Sequence, residues 1–144
     1  MRQLLCLTLC LAACTVATHG HTQTAVPGWL KGTWVIDYDR TLENVQSSST
    51  ISVKEAATLP GQLKLLRGLL KLQITDRQVV TFRGDRKESV AYQVEEINKN
   101  TVLLTANARG RQVILTFTLR PGGGMHMGSS ATDDMDYFLW KKAR

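Results

Sequence analysis

The sequence predicts an all-β domain: eight antiparallel strands in up-and-down order, closed into a barrel, with one helix after the first strand. Three observations carry that expectation. From residue 72 onward apolar and polar residues alternate with period two, as strands with one face in a core do. Turn-forming pairs and triplets cut this stretch at hairpin-sized intervals. One run, residues 59–72, breaks the alternation and repeats Leu at helical spacing. Closing eight such strands removes the exposed sheet edges.

The domain does not begin at once. Arg2 is followed by an uncharged apolar run through Ala13, which reads as a secretory signal at residues 1–13. It is too short to span a bilayer, which takes roughly 20 apolar residues. The run ends Leu11-Ala12-Ala13-Cys14, a tetrapeptide that resembles the lipobox of bacterial lipoproteins. The resemblance implies that the Cys14 thiol receives a diacylglycerol, that cleavage occurs just before it, and that the new amino group is acylated, as by palmitate. That chemistry needs a thiol at Cys14, small residues before it and an apolar residue at Leu11. Thr15, where an aspartate would commonly retain such a protein at the inner membrane, implies the outer membrane, facing the periplasm. The alternative is an ordinary secretory signal cut after the small residues Thr15, Val16 and Ala17.

The cysteines fit export with a lipid anchor. Cys6, Cys10 and Cys14 all lie at or before the expected cut, so the mature domain has no disulfide and must be stable through its core alone. Losing Arg2 from 18 Lys plus Arg leaves 17 against 12 acids, a net charge of +5. A moderate positive balance suits anionic lipid head groups or polysaccharide; nucleic acid is discounted for an exported chain. Residues 14–28 are a tether of Thr, Ala, Gly, Gln and His ending at Pro27 and Gly28. His19 and His21 on it are too few for a closed metal site, so no metal is expected.

The domain at 29–144 opens with a strand at 31–38, rich in aromatic and β-branched residues. Gly32-Thr33-Trp34 within it is similar to the Gly-x-Trp signature of lipocalins and related calycin barrels. The resemblance implies that Trp34 plugs the closed end of the barrel and that a cation after the last strand packs over its indole. Lys141, Lys142 and Arg144 are available for that role. It also implies an interior able to hold a small apolar or amphipathic ligand. Alternatively, Trp34 is an ordinary core aromatic.

Residues 40–58 give no clear pattern. The helix expected at 59–72 puts Leu59, Leu63, Leu66 and Leu70 on one face, with Lys64, Arg67 and Lys71 opposite. Thr58 would cap it, Pro60 would sit in its first turn, and Gly68 weakens its interior. Such a helix lies over the barrel as a lid, Leu face inward, or touches anionic lipid through its cations. Further strands are expected at 71–75, 78–83, 87–97, 101–108, 111–120, 124–128 and 136–142.

Catalytic patterns are thin. His126 alternates with Met125 and Met127 and so points away from both sulfurs. Asp133, Asp134 and Asp136 lack the glycine and distal glutamate of an EF-hand. Residues 121–124 are glycine-rich without the Lys-Ser/Thr of a phosphate loop, and no serine sits in a nucleophile elbow. Glu95 and Glu96, adjacent on a strand, are expected on opposite faces. No enzyme and no cofactor are expected. Two readings remain: a tethered module binding a small ligand, or a lipoprotein with a filled barrel acting through its surface. Cavity volume separates them.

Overall fold

The computed structural model describes residues 24–48, 51–131 and 136–144. The expected signal, Cys14, residues 14–23 of the tether, and Asp133 and Asp134 lie outside the described residues. The strands are β1 (Gly32–Ile36), β2 (Leu70–Ile74), β3 (Gln78–Arg83), β4 (Arg86–Ile97), β5 (Thr101–Ala108), β6 (Arg111–Leu119), β7 (Met125–Ser129) and β8 (Leu139–Lys142). They form one closed antiparallel barrel in sequence order. Closure comes from β1, which pairs with both β2 and β8.

The alternation sets the core. Trp34, Leu72, Val102, Leu104, Phe117, Met125 and Trp140 point inward and are fully buried. Leu115, Val113, Ala106, Tyr92 and Met127 complete the packing. The start of β1, the turns after β2, β4 and β6, and the end of β8 share one end of the barrel. The other end carries the turns after β3 and β5 and the long connection from β1 to β2.

That connection corrects the expectation of one helix. There are two, α1 (Tyr38–Ser47) and α2 (Val53–Leu66). In α1, Thr41 and Val45 are buried, with Tyr38 and Leu42 partly buried beside them. Thr41 Oγ1 accepts from the Leu139 amide at 3.0 Å, tying α1 to the start of β8. The helix expected at 59–72 is shifted toward the N-terminus. It starts six residues earlier because Ser52 and Glu55 form a reciprocal capping box. It stops at Leu66 because Arg67 leaves helical geometry and Gly68 adopts φ +76°. Leu70 and Lys71 therefore belong to β2, not to the helix. Thr58 is not a cap but bonds to the Lys54 and Glu55 carbonyls within α2, and Pro60 lies in the helix interior.

Two irregularities open the sheet. A bulge between Val94 and Glu96 shifts the β4–β5 register, and Glu95 and Glu96 are both exposed. Above Tyr92, β4 is paired with β3 alone: the β3–β4 ladder runs to Arg83 and Arg86, whereas the β4–β5 ladder begins at Tyr92. The β3–β4 hairpin thus peels away from β5 on the α2 side of the barrel.

Candidate functional site

The closed end is built around Trp34. Gly32 sits at φ +121°, a conformation L side chains rarely adopt, so the residue two before the indole has to be glycine. The Trp34 Nε1–H donates to the Leu30 carbonyl at 2.9 Å, and Leu30 and Val26 are buried in the same core as the ring. Of the three cations after Trp140, Lys142 lies over the indole, with Nζ 5.3 Å from the ring centroid. Its ammonium donates to the Lys31 carbonyl at 2.8 Å, which fixes it there. Nearby, the buried Tyr92 hydroxyl donates to the Thr75 carbonyl. Burial, reinforced by the Asp76 carboxylate, pushes this phenol up to about 12. The Trp34 indole, the Lys142 ammonium and the Tyr92 hydroxyl at this end each have a backbone acceptor.

The other end differs. Leu63 of α2 is buried and Leu66 is partly buried against the core, while Lys64, Arg67 and Lys71 are exposed. Arg67 lies over the Tyr38 ring, 5.8 Å from its centroid, and so ties the end of α2 to α1. Between α2 and the barrel rim lies a cleft of about 410 Å³ lined by Leu59, Leu66, Leu70, Tyr137 and Phe138 on its apolar side and by Glu55, Thr58 and Gln62 of α2 on its polar side. Arg83 stands at its edge, and it also borders a second cavity of about 320 Å³ with Thr81, Arg86, Glu88 and Arg109. Cross-strand partners share a face, so the row Leu70, Arg83, Arg86 lies on the same face as the row Trp34, Leu72, Thr81. A carboxylate–guanidinium pair between Glu88 and Arg109 bridges the gap where β4 leaves β5.

The sequence reading named Leu63, Lys64, Leu66, Arg67, Leu70 and Lys71 for this end. The structure brings Leu66 and Leu70 to the cleft and leaves the three cations on the outside. It did not name Arg83, Arg86 or Arg109, which look like ordinary turn-flanking charges. The signal that could have found them is parity: Arg83 is an even number of residues from Val79, and Arg86 from Tyr92. His126 is partly buried, its Nε2 2.6 Å from the Asp136 carbonyl oxygen, and is therefore occupied structurally. One interior group is left over: among the described residues the buried Trp140 Nε1–H finds no acceptor.

No protein-family model, no curated protein and no solved structure compared with this chain matches it.

Proposed function

We propose that this chain is a membrane-anchored envelope lipoprotein whose lipocalin-like barrel binds a small apolar or amphipathic ligand without turning it over. The observation that carries this reading is the cleft of about 410 Å³ under α2, with Leu59, Leu66, Leu70, Tyr137 and Phe138 as its apolar wall and Glu55, Thr58, Gln62 and Arg83 as its polar one. An apolar concavity beside a few polar groups is what small-molecule sites are made of. The ligand sits at the mouth, since the lower interior is filled by its own side chains. The Leu-Ala-Ala-Cys14 resemblance supplies the anchor, and Thr15 the outer-membrane, periplasm-facing location.

The test uses the neutral dye Nile red with the full-length protein. Binding should enhance its fluorescence, and Leu66→Trp, which fills the cleft, should abolish the enhancement. No enhancement with the parent protein would end the ligand reading. The anchor is tested separately: Cys14→Ser should move the protein from the membrane to the soluble fraction, and continued membrane association after a salt wash would contradict lipidation.

A second reading has its own observation. Leu65 and Leu69 are 74% and 49% exposed, beside Lys64, Arg67 and Lys71. A surface of that kind suits an anionic bilayer, where each cation contributes about 1 kcal/mol. Here the barrel would act through its surface, as a structural or interaction lipoprotein. Replacing the three cations by Gln should then weaken binding to anionic vesicles roughly a hundredfold or more; unchanged binding leaves the cleft as the working part.

A further inference from the structure

The arginines at the mouth are not explained by folding. Arg83 and Arg86 are direct Cα partners across the β3–β4 hairpin, on the face that Leu70 and Thr81 share, and both are exposed at its tip. Like charges directly opposite one another on a sheet repel. Neither arginine has an ion pair among the described residues, and the acid lining their pocket, Glu88, is taken by Arg109. Arg109 itself is the non-glycine residue held at positive φ, +54°, among the described residues. That conformation disfavours L side chains, yet it sets the guanidinium on Glu88 across the gap between β4 and β5. The result is a cavity of about 320 Å³ with three guanidinium groups, one carboxylate and the Thr81 hydroxyl around it.

The surplus is positive and its donors are planar forks, which suit an oxyanion held by paired hydrogen bonds. Arg83 also borders the apolar cleft under α2, so the charged cavity and the apolar one meet at a single side chain. We propose that the mouth selects a single-chain anionic amphiphile, its carboxylate or phosphate head on Arg83 and Arg86 and its alkyl chain in the cleft beneath α2. This deepens the ligand-binding reading and rests on it. A bound oxyanion removes the repulsion between the two arginines, so the head group is recognised by what the apo barrel lacks. The Glu88–Arg109 pair borders the same cavity.

Isothermal titration of the full-length protein with decanoate, decanol and decyltrimethylammonium tests this. The parent should prefer decanoate over decanol by at least about tenfold, the worth of one hydrogen bond to a charged group, and decyltrimethylammonium should bind most weakly. In R83Q/R86Q the preference for decanoate should collapse, and decanoate should no longer raise the melting temperature as it does in the parent. Equal affinity for decanoate and decanol in the parent would overturn the head-group assignment while leaving the apolar cleft standing. Failure of all three, with Nile red still binding, would also overturn it; failure of Nile red as well would remove the ligand reading beneath it. Binding of phosphatidylglycerol vesicles in place of decanoate, lost in R83Q/R86Q, would assign the arginines to a membrane surface and contradict the proposal.

Discussion

At the closed end of the barrel one cation, Lys142, lies over the Trp34 indole, and both the ammonium and the indole N–H have backbone acceptors. At the mouth two arginines face each other across a hairpin with no ion-pair partner among the described residues. The same charge type is consumed by the fold at one end and left over at the other. Buried polar groups in a finished structure are partnered, and directly opposed like charges are avoided. Where those rules hold, the residues explain themselves by stability. At the exposed mouth the proposed head group would supply the partner that the fold does not.

The contrast breaks first at Trp34. Trp34→Ala should cost about 3–5 kcal/mol, since it removes a fully buried ring and leaves Lys142 and Leu30 without it. Chemical denaturation checks this; a parent-like midpoint would mean that the closed end is not a plug. Lys142→Met, which keeps the aliphatic stem and loses the charge, should cost about 1 kcal/mol through the cation–π contact and the bond to the Lys31 carbonyl. Tyr92 sharpens the same end by pH. Its phenol is held up to about 12 in the fold, above its ordinary value of 10. The folded state therefore keeps the proton longer than the unfolded chain, so stability is full below pH 10 and falls as pH rises from 10 toward 12. Tyr92→Phe should flatten that fall, as followed by thermal melts across the window. The smallest effect belongs to the mouth: R83Q/R86Q should leave stability unchanged or raise it by about 0.5 kcal/mol, because it relieves a cross-strand repulsion and breaks no ion pair. A loss of 2 kcal/mol or more, judged against surface charges that contribute little, would make the two arginines structural.

The barrel was legible because period-two alternation is set by the pleat, and the turn residues fall where the ladder must reverse. All eight strands agree with the expected spans to within two residues, except the start of the last, expected at 136 and found at Leu139. The helices were less legible, for local reasons. In α1 the inward face is only Tyr38, Thr41, Leu42 and Val45, too short to stand out from a polar stretch. In the second helix the leucine run misled, because Leu70 satisfies helical spacing from Leu63 and Leu66 and strand spacing with Leu72. The Ser52–Glu55 capping box was the better marker of its start. Gly32 and Trp34 were readable as a pair because one strained backbone position and one large ring leave a local trace. The Arg83–Arg86 pair leaves none: two exposed cations around a Gly84-Asp85 turn describe any hairpin until the register places both on the face of Leu70.

The most direct test of the division between plug and mouth is a two-dimensional NMR titration of the protein with decanoate, following arginine Nε–H, leucine methyl and tryptophan indole signals together. The account predicts shifts at Arg83, Arg86, Leu66 and Leu70 with the Trp34 indole unmoved. Shifts at the Trp34 indole with the mouth signals unmoved would contradict it.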